Sequence, residues 1–507
     1  MLYDTEIFDS NGVRLGNTIS LLIPAYSYHI NCAWTQEVPL PAIEEFTCRL
    51  LIVLQEMLPG EIQEYFGLSK REREVLIETL LKNKLAFYTN EGLLAPSSIL
   101  MDRTKGDPDI PPRLTKYEER TETVVFEALT ISIMPSTSYN RSRFGLRQLA
   151  IPAENQSPLP EVVTEEFGRQ YRAFLDHSRR QEHEIKNTRL YKVSGCSTGR
   201  FLQIPIDLEI WLRPTKEGDV EVLKKVSERA SGSRQRPLSM EVEAKISDYL
   251  NGVKMPSKGI NIARYCKLFD DHVLNKYIDE RGLDLNRWLI DHSSRKTGYG
   301  SSATRSLIGP IFCLNNKITL ERMLDDLSAE WRPAEVHRGF WLSSSAPFWG
   351  GNGHLLNEFC NEVAKHLTED RKGRGIIAAI MPFESKEDLV NLKQSFHTRL
   401  PNAIAYEGVD LQTQVEIFLV PGQLAVVQYH VQPDVESAIT VPIGYVTIEK
   451  IRITKIENYL DNLIKNRGKP VMAWTDAGLT VDEILGDCRT KFCEANRKPI
   501  LSLNKST

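Results

Sequence analysis

Apolar and polar positions alternate over residues 13–20 and 21–30 and the pattern stops at Pro39 and Pro41, which predicts a β-rich opening. From residue 42 the spacing becomes helical. A first helix is expected over 42–57, and a second over 61–66, where Pro59-Gly60 suits a helix start. Gly67-Leu68 forms the turn. Ser69 then caps a third helix reaching about Lys84, with Glu72 three residues on completing a capping box. Segments 85–89 and 93–95 flank Asn90-Glu91-Gly92 and read as a two-stranded hairpin. Leu68, Val75, Leu76, Leu80 and Leu81 are the expected core of this assembly.

Three helices followed by a hairpin resemble a winged helix, a variant of the helix-turn-helix. The resemblance implies a third helix lying in a DNA major groove and presenting Lys70, Arg71 and Arg73. Glu72, Glu74 and Glu78 share that helix, so its face is mixed. Phosphate contacts dominate DNA affinity, and a mixed face leaves DNA contact and protein docking both open.

Residues 101–120 are polar and bear prolines, which predicts a linker. Beyond it a strand is expected over 121–134, a polar loop over 136–143 and a helix over 161–183. Strands over 188–193 and 200–212 should then flank a turn at 194–199. This region is rich in cations. Arg169, Arg172, Arg179 and Arg180 are candidates for a phosphate-tracking patch, set against the plainer reading of a solvated surface. The stretch 227–237 reads as a basic loop. A second cluster, 295–305, interleaves glycines and hydroxyls with Arg295, Lys296 and Arg305, a composition suited to holding a phosphate. It is not a P-loop, because the Gly-Lys-Ser/Thr ending is absent.

Further on, the chain alternates strand-like and helical stretches: strand from Gly339, helix 355–367, strand 375–381, helix 385–400 and strand 403–406. A buried hairpin follows over 414–430 around Pro421-Gly422, then strand 444–453, helix 457–466 and Trp474. This order resembles one lobe of the phospholipase D-like superfamily, whose signature is His-x-Lys, then Asp, then Gly-Ser-x-x-Asn. Laid on the hairpin, the signature His falls on Gln414, the Lys on Glu416 and the Asp on Pro421. In the family the His attacks phosphorus and the Lys offsets the charge that builds up. Gln414 has no basic lone pair for that attack. A carboxylate at Glu416, about 4 Å from a phosphate, would be repelled by roughly 1 kcal/mol in water and more in a dry cleft. The apolar frame is kept without the family's catalytic chemistry. Replacing Gln414 or Glu416 is then expected to change stability by under about 1 kcal/mol if both are exposed.

Composition narrows the picture. At 507 residues the chain is long enough for about three domains. With 41% hydrophobic and 26% charged residues and a net charge of -4, it is globular and not basic throughout, so nucleic-acid contact requires local patches. The 8 cysteines are scattered without a Cys-x-x-Cys pair, which argues against a disulfide scaffold; neither His29 with Cys32 nor Cys488 with Cys493 has a second pair nearby, and no metal or cofactor is expected. Among the 10 histidines none has Lys two residues later, so no active half-site of the family is visible. Gly195-Cys-Ser-Thr-Gly199 matches Gly-x-Ser-x-Gly by letter, but the following stretch reads as a strand where a nucleophile elbow needs a helix. No run is long and apolar enough for a membrane span, and Met1-Leu-Tyr-Asp-Thr-Glu lacks the order of a signal peptide, so a cytoplasmic protein is expected.

The expected fold is therefore α+β and multidomain: β-strands and a winged helix over 1–100, a linker over 101–120 and an α+β middle domain over 121–330. A phospholipase D-like α/β lobe lacking the catalytic motif follows over 331–480, and a tail over 481–507. The resemblance implies a non-catalytic nucleic-acid-binding or adaptor subunit of a bacterial DNA-processing or anti-phage defence complex, with DNA and a helicase or ATPase as partners. A phospholipase D-like nuclease with another active site and a winged-helix transcriptional regulator are the alternatives.

Overall fold

The computed structural model describes residues 12–134, 145–177, 185, 188–228, 238–256, 259–280, 282–331, 336–368, 375–408, 414–434, 438–465, 467 and 469–486. It is a mixed α and β protein with two compact units. One comprises Met1–Pro24, Tyr139–Ile151 and Leu202–Thr507; the other comprises Ala25–Ser138 and Pro152–Phe201.

In the second unit, a long strand from Ala25 to Pro39 pairs antiparallel with Arg113–Glu127. Helices Ala42–Leu54, Pro59–Phe66 and Lys70–Lys82 follow, then the antiparallel pair Ala86–Tyr88 and Leu94–Pro96. Local chemistry sets these bounds. Pro59 opens its helix, and Gly67 closes it at a φ of 65° that a side chain disfavours. Ser69 Oγ accepts from the Glu72 amide at 3.3 Å while the Glu72 carboxylate accepts from the Ser69 amide at 2.8 Å, a reciprocal cap. Leu51, Ile62, Leu80 and Leu94 are wholly buried, and Leu76 joins them. Leu68 and Leu81 pack only partly against that core, and Val75 is 56% exposed, because the helical period turns Leu76, Ile77 and Leu80 inward instead.

Strand Arg113–Glu127 stops short of the expected end at 134, and three further stretches of this unit differ from the sequence expectation. The expected linker 101–120 holds the end of helix Ser98–Thr104, with Leu100 and Thr104 buried, and the start of strand Arg113–Glu127. The expected helix 161–183 is two helices, Pro160–Arg169 and Tyr171–His177, and 178–184 lie outside the described residues. The expected turn 194–199 is part of one continuous strand, Thr188–Pro214. Gly199 is there for a close approach: a Cβ would lie 2.9 Å from the Ser27 carbonyl oxygen, and the Arg200 amide donates to Ser27 Oγ at 2.7 Å.

The first unit is built on a sheet of eight strands: β1 Thr304–Ile308, β2 Arg338–Leu342, β3 Ile376–Phe383, β4 Asn402–Glu407, β5 Val415–Val420, β6 Leu424–Val431, β7 Val441–Thr447 and β8 Val471–Thr475. Their spatial order is β1-β7-β6-β5-β2-β3-β4-β8. The strands β2, β3 and β4 run parallel, with helices Gly353–His366 and Lys386–Phe396 between them in the chain, and the remaining neighbours are antiparallel. Core residues cover both faces. Leu342, Ile380, Ile417 and Val427 pack with Ile453 and Leu460, while Trp341, Met381, Phe418 and Val426 pack with Leu320, Leu324 and Phe359. A sheet buried on both sides explains the near-continuous apolar runs of the central strands. β7 stops at Thr447, whose hydroxyl accepts from the Glu449 amide at 3.1 Å, so residues 450–453 begin helix Lys450–Ile464 and do not extend the strand as expected.

Candidate functional site

The hairpin β5–β6 turns at Pro421-Gly422, where Gly422 takes a φ of 69° and its amide donates to Glu457 at 2.6 Å. Glu416 stands opposite Gln428 on the face shared with Trp341 and Phe418. It is 3% exposed, accepts from Trp341 Nε1 at 2.7 Å and lies 2.7 Å from His430 Nε2. The other ring nitrogen of His430 lies 3.1 Å from the Thr440 hydroxyl. In this arrangement the carboxylate is a core acceptor, turned into the sheet. Gln414 is half-buried and bonds the Tyr429 hydroxyl, and Pro421 occupies the turn. None of the three lines either of the two cavities described below.

Several residues of the cluster 295–305 line a cavity. Helix Leu285–Ser293, capped by Asp284 at the Arg287 amide, delivers His292 and then turns at Arg295, whose φ is 58°. The chain returns to the sheet as β1. Between these elements lies a cavity of about 990 Å³, to which Arg14, Arg295 and Arg305 all contribute, with Ser293, Ser301 and Ser306. No carboxylate belongs to its described lining. Three guanidiniums around one cavity give it a positive potential that low-dielectric walls focus. The Ser293 hydroxyl is buried there with no hydrogen-bond partner among the described residues, so it stands available to an incoming oxygen. His292 stacks on Trp288 at 4.6 Å, and its Nδ1 lies 2.9 Å from the Thr297 hydroxyl. Burial, reinforced by the charge of Arg14, pushes its pKa down to about 4, so the ring is neutral at ordinary pH.

The structure brings Arg295 and Arg305 together and adds Arg14, whose distance in sequence hid it. Lys296 is not in the lining and lies 3.6 Å from Asp291. In the other unit, Arg169 pairs with Glu166 at 2.7 Å, and Arg172 pairs with Asp176 at 3.6 Å and donates to the Ile185 carbonyl at 3.2 Å. Arg179 and Arg180 lie outside the described residues. On helix Lys70–Lys82, Lys70 and Arg71 are exposed, whereas Arg73 donates to Gln63 at 3.0 Å and meets Glu74 at 3.4 Å. Ser197 sits within strand Thr188–Pro214, which excludes the strand-turn-helix geometry of a nucleophile elbow at that serine.

Among the described residues no group of three or more His, Cys, Asp or Glu is arranged to hold a metal ion. No helix among them is long and apolar enough to cross a membrane. Comparison with protein-family models, curated proteins and solved structures finds no match to this chain.

Proposed function

We propose that this chain is a non-catalytic nucleic-acid-binding subunit that takes backbone phosphates into the cavity of Arg14, Arg295 and Arg305. The observation that carries this reading is the convergence of three arginines on one cavity whose described lining holds no carboxylate. Such a site attracts phosphate through charge and hydroxyl contacts, and the imidazole in its lining, His292, is stacked on Trp288 and held at the Thr297 hydroxyl. The internal placement of Glu416 supports the non-catalytic half of the reading, since the hairpin that resembles the phospholipase D-like lobe presents no nucleophile. A helicase or ATPase partner follows from the same resemblance.

The three-helix assembly fits a winged helix that docks on protein. Phe46, Tyr65 and Val75 are 54%, 67% and 56% exposed, and Arg73 is engaged within the fold. Exposed aromatic and aliphatic side chains serve a protein interface better than a phosphate backbone. The test incubates the full chain with labelled single- and double-stranded DNA, with and without Mg²⁺, Mn²⁺ or Zn²⁺. Retarded but intact DNA is expected. Cleavage of the labelled strand by pure protein would replace this reading with a nuclease.

A further inference from the structure

A second cavity, of about 580 Å³, includes the carboxyl ends of β2 and β3, and its residues all belong to the unit that carries the eight-stranded sheet. The carboxyl ends of parallel strands are where open α/β sheets gather ligands, because the loops there carry side chains without disturbing the pairing. Ser343, Ser344 and Ser345 line it from the β2 side and Arg399 from the far end of helix Lys386–Phe396.

Arg399 is 4% exposed, yet among the described residues its guanidinium donates only to neutral carbonyls: those of Ser395 at 2.9 Å, Gly145 at 3.3 Å and Gly350 at 2.5 Å. Its charge is stacked at 4.5 Å on the Phe396 ring, and no described carboxylate pairs with it. Burial pushes its pKa down to about 10. Carbonyl dipoles and an aromatic face offset part of a buried charge; an anion offsets the rest. Arg147 lines the same cavity, 5.1 Å above the ring of Phe348. Phe348 takes a φ of 65°, a left-handed conformation that aromatic residues rarely hold and that clusters at ligand sites.

The second, independent observation is Trp349. It lines the cavity, is 8% exposed, and its indole N–H is buried with no hydrogen-bond partner among the described residues. A buried donor left open beside a cavity calls for an acceptor on whatever fills it.

We propose that this cavity binds a nucleoside monophosphate. The phosphate lies between Arg147 and Arg399, beside the serine hydroxyls. The base lies against Trp349 and Phe396 and supplies the acceptor for the indole N–H. Glu384 and Asp388 also line the cavity. Their carboxylates accept from ribose hydroxyls and oppose a second or third phosphate, which is why one phosphate is specified. The site is separate from the cavity of Arg14, Arg295 and Arg305 and does not depend on the nucleic-acid reading.

The test titrates the full chain with AMP, GMP, CMP, UMP and inorganic phosphate by calorimetry. At least one nucleotide should bind below about 1 mM, more tightly than phosphate alone. Arg147→Ala, at an exposed position, should fold as the parent does and weaken that nucleotide about tenfold. Trp349→Phe should weaken it as well, and if that variant melts early, Arg147→Ala still decides. Failure of all four nucleotides to bind below about 1 mM overturns the proposal. So does phosphate binding as tightly as the nucleotides, or parental affinity in Arg147→Ala.

Discussion

Glu416 Oε2 and His430 Nε2 lie 2.7 Å apart across the hairpin, with 3% of each residue exposed. The same carboxylate also accepts from Trp341, so one side chain satisfies two buried donors. Glu416→Ala should therefore destabilise the protein by about 3–5 kcal/mol, because it strands both donors and opens a cavity. Glu416→Gln keeps one acceptor and should lose less. Phe418→Ala, at a wholly buried position, gives a reference loss of about 3–5 kcal/mol from cavity formation alone. Urea unfolding of the three variants measures this, and a Glu416→Ala protein that unfolds with the parent would show that the network contributes nothing.

The buried, neutral His292 makes a pH dependence. Its folded pKa is lowered from 6.5 to about 4, so between these values the unfolded chain binds a proton that the folded chain refuses. The contribution of this group is fully present above pH 6.5 and declines as pH falls to about 4, by about 3 kcal/mol in all. His292→Phe keeps an aromatic ring against Trp288 and removes the titration. Unfolding free energies from pH 7 to pH 4 should converge on a flatter profile for that variant. Identical slopes would place the acid sensitivity elsewhere.

Of the candidate cations on helix Lys70–Lys82, Lys70 and Arg71 are exposed, while Arg73 bonds Gln63. Reversing Lys70 and Arg71 to Glu should leave DNA affinity within about threefold, if this assembly docks on protein as its exposed Phe46 and Tyr65 favour. Arg73→Glu should instead lower the melting temperature, through the lost bond to Gln63. An affinity drop of tenfold or more in the Lys70 and Arg71 variant, measured by fluorescence anisotropy, would return this helix to DNA contact.

Much of the local structure was readable because local chemistry decides it. Ser69 with Glu72, Pro59 and Gly67 each fix a helix end through their own backbone or cap, and all three were visible as residue types at set spacings. The strand and helix order from Gly339 to Trp474 was legible for a related reason, since apolar runs bounded by turns mark strands buried on both faces. The first half of strand Arg113–Glu127 was missed because it is polar on both faces and carries no periodicity. The glycines around Ser197 read as a turn, although Gly199 serves a close approach to Ser27 that only the paired strand reveals. The side to which Glu416 points was hidden as well, because its acceptor role depends on Trp341, which is remote in sequence. Of the site, Arg295 and Arg305 were found from composition. Arg14 and Arg399 were not, since each reaches its cavity only through tertiary packing.

If Arg14, Arg295 and Arg305 share one phosphate-binding cavity, DNA affinity must depend on salt through these arginines. Each phosphate neutralised releases counterions, so the slope of log affinity against log salt counts the contacts. Arg295→Glu with Arg305→Glu, both at exposed positions, should fold normally, weaken DNA binding and reduce that slope by about two between roughly 50 and 200 mM salt. A double variant with the parental affinity and the parental slope would show that DNA phosphates do not enter this cavity.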